Sequence, residues 1–163
     1  VIAEFLLTLA SRSTCKRAQV AALVTDWPDF TAIHAMGYNG RAAGEAHDGC
    51  RPNEPGNCGC VHAEMNALVK LDSTLRGLTL VSTVTPCELC ARLIVNSRAI
   101  SRVIYMNDYR STAGLVVLQG AKIEALALQS RPLSAMNASV LHGEHGRHEA
   151  PWQAALFEWE VKA

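Results

Sequence analysis

The chain has no net charge: fifteen lysines and arginines are balanced by fifteen acidic residues over 163 positions. That balance argues against bulk electrostatic coating of nucleic acid or of an anionic membrane, and leaves room for a local basic pocket for one phosphate. Aromatic residues are scarce, at 6%, which argues against a single-strand channel of basic grooves and stacking rings. No apolar run reaches the roughly 18 residues needed to span a bilayer. The opening VIAEFLL contains Glu4 and has neither a basic leader nor a cleavage signal, so it reads as part of a helix. The missing initiator methionine points to a trimmed N-terminus. Internal repeats and low-complexity tracts are also lacking.

What the chain does have is length for one domain over residues 1–163, with a core over 1–127 and a C-terminal extension over 128–163. It also has six cysteines. With no secretion signal, and with Cys87 and Cys90 spaced C-x-x-C beside a His-bearing segment, they read as metal ligands rather than disulfides. The compartment expected is a reducing cytoplasm, or the host cytoplasm if the chain is phage-encoded.

Apolar spacing predicts a first helix over residues 1–12 that buries Ile2, Phe5, Leu6 and Leu9. Val20–Val24 and Thr31–Tyr38 flank a turn containing Pro28, which predicts a hairpin. Residues 39–59 form a polar loop rich in glycine and proline, long enough to need a function or something to pin it. Helices are expected over Val61–Leu71, Cys87–Asn96 and Ser111–Leu118, and strands over Leu78–Thr83, Arg102–Met106 and Lys122–Ala127. Such alternation predicts a three-layer α/β sandwich with a central mixed sheet of about five strands flanked by helices, its chemistry at strand ends. Beyond Gln129 the pattern weakens, and AALFEWEV reads as a short final helix.

Cys60 to Cys90 is the chemically dense stretch. His62 and Glu64 stand in H-A-E at the start of one helix, and Pro86, Cys87 and Cys90 form P-C-E-L-C at the start of another. One imidazole and two thiolates are good zinc ligands, leaving the fourth position of a catalytic site for water. Helix N-termini favour thiolate at Cys87. Glu64 is left over as the acid-base group. A purely structural site would have four closed ligands and no use for Glu64.

The order H-x-E then P-C-x-x-C is the signature of zinc nucleobase deaminases. STCKRAQVAALV, GYNGRAAG, CVHAEMNAL and VIYMNDYR narrow the resemblance to the deoxycytidylate (dCMP) deaminase family, within the cytidine deaminase superfamily, over about residues 1 to 127. That resemblance implies zinc-dependent hydrolysis of dCMP to dUMP and ammonia, feeding thymidylate synthesis. The alternatives weighed are a deaminase of 5-methyl-dCMP or another cytosine substrate, and a zinc-stabilised binding module without turnover. By the same resemblance Glu64 is the proton shuttle, Asn39 contacts the deoxyribose, and backbone groups at Ala63 and Thr85 read the base edge. Arg17, Tyr109 and Arg110 are the candidates for the 5′-phosphate. Asn66 is expected to pack or cap its helix. Where the family has Val-Gly-Ala this chain has Val20, Ala21 and Ala22, adding a methyl to the first strand.

Some phage members carry a second, structural zinc, at places held here by Cys15, Cys50, Cys58 and Cys60. Such a site would clamp the long loop. Family resemblance further implies a homohexamer activated by dCTP with magnesium and inhibited by dTTP. His34 and His47 belong to neither metal set. His142, His145 and His148 read as a solvated tail, and Trp152 and Trp159 as cover for the core or a subunit contact.

Overall fold

The computed structural model describes residues 2–54, 57–131 and 158–162, with side chains described up to Leu128. The helix α1 (Ile2–Ala10) leads to β1 (Ala21–Thr25) and β2 (Ile33–Tyr38), the hairpin expected from the two apolar runs. After the long loop, whose described residues include a 3₁₀ turn at His47–Gly49, come α2 (Ala63–Leu68), β3 (Leu78–Val84), α3 (Glu88–Ser97) and β4 (Ile100–Asn107). Then follow α4 (Ala113–Gly120), β5 (Glu124–Arg131) and β6 (Glu158–Lys162).

These strands make one mixed sheet in the order β2-β1-β3-β4-β5-β6. β3, β4 and β5 run parallel, as helical crossovers require, and the hairpin partner β1 runs antiparallel to β3. The expected three-layer sandwich of about five strands is present. To it β6 adds an outer antiparallel strand on β5. The C-terminal expectation is thereby corrected: residues 158–161 of AALFEWEV are strand, not helix, because the alternating EWEV pattern pairs with β5. His142, His145, His148 and Trp152 lie outside the described residues, as does the side chain of Trp159.

Each face of the sheet has its own core. On one, Ala22, Val24, Leu80 and Val103 pack against Ala63 and Ala67 of α2, Ile94 of α3 and Leu118 of α4. On the other, Leu23, Val81, Ile104 and Leu126 pack against α1. Ala3, Leu6 and Ala10 form the buried stripe of α1. Phe5, expected inside, is 39% exposed, since Ala3 and Ala10 let the helix sit close to the sheet on their side. Ala21 and Ala22 are both fully buried, so the extra methyl is accommodated.

α2 also closes the outer edge of the sheet. Asn66 Nδ2 donates to the Tyr38 carbonyl at 2.9 Å, and Lys70 Nζ to the Met36 carbonyl at 3.3 Å. Asn66 is thus spent on backbone, as its residue type favours.

Candidate metal and catalytic site

α2 and α3 begin beside one another, and each N-cap is a chemically active residue: His62 before α2, Cys87 before α3. Neither side chain caps its own helix. Both are turned instead toward a shared point. His62 Nδ1 lies 3.4 Å from Cys87 Sγ and 3.4 Å from Cys90 Sγ. Tetrahedral zinc with nitrogen at about 2.0 Å and sulfur at about 2.3 Å sets an N···S separation of about 3.5 Å. The three donors therefore fit a zinc ion, bound through Nδ1 of the imidazole.

Electrostatics within this group are polarised. The Cys87 thiol is pulled down to about 4, first by the Cys90 thiol and then by His62, against the cost of burial. Cys90, hydrogen-bonded to that thiolate and buried, is pushed up. His62 is raised by its bond to Cys87. Glu64, in the first turn of α2, is only 4% exposed, and burial raises its carboxyl. A buried carboxyl shifted toward neutrality is suited to taking a proton and giving it back.

A cleft of about 690 Å³, counted out to bulk solvent, opens over this group. Arg17, Asn39, His62, Ala63, Glu64, Thr85, Cys87 and Tyr109 line it. Of the residues singled out from sequence, Cys90 lies buried behind the cleft and Arg110 outside its lining, with its guanidinium 5.5 Å from the Tyr109 ring centre. Asn39 is 6% exposed and largely committed. Its Oδ1 accepts from the Val20 N–H at 2.8 Å and lies 2.6 Å from the Ser13 hydroxyl; its Nδ2 donates to the Ala18 carbonyl at 2.8 Å. One amide proton remains. The Thr85 N–H donates to the Asn107 carbonyl, leaving the Thr85 carbonyl, whereas the Ala63 N–H is in a first helical turn and has no acceptor within its helix. Ser13, Ala18 and Asn107, which help fix these groups, carry no such role in the sequence reading, and Val20 enters it only as strand. Ser13 begins the S-x-C segment, but nothing in its spacing points to Asn39, 26 residues away.

A second group assembles along the same cleft, which Cys15, Cys58 and Cys60 also line. Cys15, Cys50, Cys58 and Cys60 are all buried together, Cys15 Sγ being 3.8 Å from Cys50 Sγ and 3.7 Å from Cys58 Sγ. The Lys16 N–H points at Cys50 Sγ from 3.3 Å. Burial pushes the Cys15 and Cys60 thiols up. Burial also acts on Cys50, but the Lys16 N–H and the neighbouring thiols outweigh it and lower that thiol. The loop is closed at its base by paired bonds between Gly40 and Val61. Arg41 braces it, donating to the Gly59 carbonyl at 2.8 Å and pairing with Glu45 at 3.0 Å.

The sequence model of the cytidine and deoxycytidylate deaminase zinc-binding region matches residues 2–107. The chain belongs to this family. Among family relatives, the deoxycytidylate deaminase of Mycobacterium phage D29 is 38% identical over 114 residues, spanning 61% of this chain and 86% of that protein. ComE operon protein 2 of Bacillus subtilis is 31% identical over 163 residues, spanning 94% of this chain and 84% of its own length. In three dimensions the chain resembles the dCMP deaminase of cyanophage S-TIM5, solved in complex with dCMP and dUMP. That likeness has a TM-score of 0.62 and 33% identity, covering 76% of this chain and 91% of the other. Zinc is accordingly the metal that the family and the donor set share.

Proposed function

We propose that this protein hydrolyses dCMP to dUMP and ammonia, supplying dUMP for thymidylate synthesis. The observation that carries this is the convergence of Glu64 with the His62, Cys87 and Cys90 donors on one cleft of a deoxycytidylate deaminase fold. His62, Cys87 and Cys90 would hold zinc, which would supply Lewis acidity to bring the pKa of a water toward about 7. Glu64 takes one proton of the attacking water and gives it to N3 of the ring, then takes the second from the new C4 hydroxyl and gives it to the amine, whose C–N bond breaks as the C4 carbonyl forms. Burial keeps this proton from leaking to solvent. The Ala63 N–H and the Thr85 carbonyl present one donor and one acceptor to the base edge, and the remaining Asn39 amide proton serves the deoxyribose. Arg17 and Tyr109 line the end suited to the 5′-phosphate, with Arg110 holding the Tyr109 ring.

The test is loss of ultraviolet absorbance with dCMP, deoxycytidine, 5-methyl-dCMP and a cytosine-containing oligonucleotide in parallel. Turnover led by dCMP is expected. Equal turnover of deoxycytidine would remove the phosphate contact, preference for 5-methyl-dCMP would change the substrate, and no turnover at all would leave a binding module.

We also assign a second, structural zinc to Cys15, Cys50, Cys58 and Cys60. Tetrahedral zinc with sulfur at about 2.3 Å sets S···S separations of about 3.8 Å, and the two recorded here are 3.8 and 3.7 Å. Atomic emission is expected to find two zinc ions per chain, and one would refute the assignment. A homohexamer is proposed on the exposed Leu89 and Leu93 of α3 and Val116 of α4, which give the chain apolar surface to cover. Light scattering after size exclusion tests it. Activation by dCTP with magnesium and inhibition by dTTP rest on family likeness alone, and rates measured with each effector decide them. We read residues 1–163 as one domain, supported by the pairing of β6 with β5, and place it in the cytoplasm. Among the described residues no helix is long and apolar enough to cross a membrane.

A further inference from the structure

Each half of the site rests on a backbone contact with no room for a side chain. On one side lies α2, which carries Glu64 and follows His62. It sits flush on β2 at Gly37, where an added Cβ would stand 2.5 Å from the Ala63 carbonyl oxygen and 2.6 Å from the Ala67 nitrogen. On the other, the first turn of α4 abuts the segment that ends in Cys87. A Cβ on Gly114 would stand 2.0 Å from the Pro86 carbonyl oxygen and 3.1 Å from the Cys87 carbonyl carbon. Real Cβ atoms essentially never come within 3.0 Å of a heavy atom outside their own and adjoining residues. Neither glycine has a positive φ, so space rather than backbone torsion requires glycine at both places.

Every obstructing atom is backbone, so no rotamer change can relieve the clash. Either the helix or the segment it touches has to move. Gly37 bears on the element that positions His62 and Glu64, and Gly114 on the one that positions Cys87. We infer that Gly37 and Gly114 are positioning residues which, from opposite sides of the cleft, set the reach between the Glu64 and His62 half and the Cys87 half. This deepens the proposed function and rests on its assignment of those residues to one working site. A shift of roughly 1 Å in either half is on the scale that costs about 10²-fold in rate when reacting groups must be held in register.

The experiment compares Gly37→Ala and Gly114→Ala with Gly120→Ala, all in the full-length zinc protein. Gly120 ends the same helix α4, and a Cβ there would meet nothing within 4 Å. The readouts are kcat and KM for dCMP, zinc content, thermal midpoint, and the visible bands of the cobalt(II)-substituted protein, which follow metal–ligand geometry. Gly114→Ala is expected to lose about 10²-fold in kcat. Its KM should hold, because Asn39 and Arg17 lie on other segments, and its cobalt bands should shift. Gly37→Ala is expected to lose kcat as well, while Gly120→Ala matches wild type in every readout. A merely destabilising substitution would lower the midpoint but leave the bands of the folded protein in place. Wild-type kcat and bands in both test variants would overturn the inference. So would failure of both to fold when Gly120→Ala folds, since the contacts would then serve the fold alone. Absence of dCMP turnover in wild type would instead defeat the proposed function, while the cobalt bands still read out the positioning.

Discussion

Glu64 is a carboxyl held almost without water, and its neutral amide isostere keeps its shape while losing its proton chemistry. Glu64→Gln is expected to retain zinc by atomic emission and to lose about 10²-fold to 10⁴-fold in kcat; near-wild-type turnover would remove Glu64 from the mechanism. Asn39 is the opposite case, a polar side chain mostly used up by its own protein. Asn39→Ala strands the Val20 N–H and the Ala18 carbonyl, and is expected to cost about 1–3 kcal/mol in urea unfolding as well as raise KM. Asp26 is a partly exposed carboxylate that accepts from the Thr31 hydroxyl and the Ala32 N–H, which lower it from 3.8 to about 2. A carboxylate depressed on folding adds stability that is complete above its unfolded pKa and is lost as pH falls through the folded one. Asp26→Asn is therefore expected to flatten the acid side of the stability profile between about pH 5 and pH 2, as followed by the thermal midpoint.

Among the elements, the described residues of the loop over 39–59 have little regular structure and are held by the four buried cysteines and Arg41. Cys58→Ser is expected to halve the zinc content and to open this loop to limited proteolysis, with cleavage between Gly40 and Val61. How far such elements can be read from sequence depends on how local their causes are. His62, Glu64, Cys87 and Cys90 were legible because two short spacings and two helix starts encode them. The parallel strands were legible because alternation of strand and helix admits few other folds. Phe5 misled because two small alanines, not the bulky residues, decide which side of α1 approaches the sheet. Gly37 stands in the GYNG motif but nothing local shows why glycine is needed there, and Gly114 stands in no motif, since each answers to the backbone of an element some 26 to 30 residues away in sequence. The bonds around Asn39 and Thr85 are hidden for the same reason.

At the scale of the whole molecule, a mixed sheet with helices on both faces brings the loop before α2 and the loop before α3 to one end, where the cleft opens. Its far side is completed by β6. A chain ended after Arg131 would leave β5 as an unpaired edge, with its row of free backbone groups. Lower thermal stability and concentration-dependent light scattering are expected of that truncation; unchanged behaviour in both would mean that β6 is dispensable. At the opposite margin the amide of Asn66 and the ammonium of Lys70 occupy carbonyls on the rim of β2. These plugs deny a neighbouring molecule the acceptors it would need to extend the pleated ladder. A strand arriving at that rim would first have to displace both donors, which disfavours sideways growth of the sheet from β2.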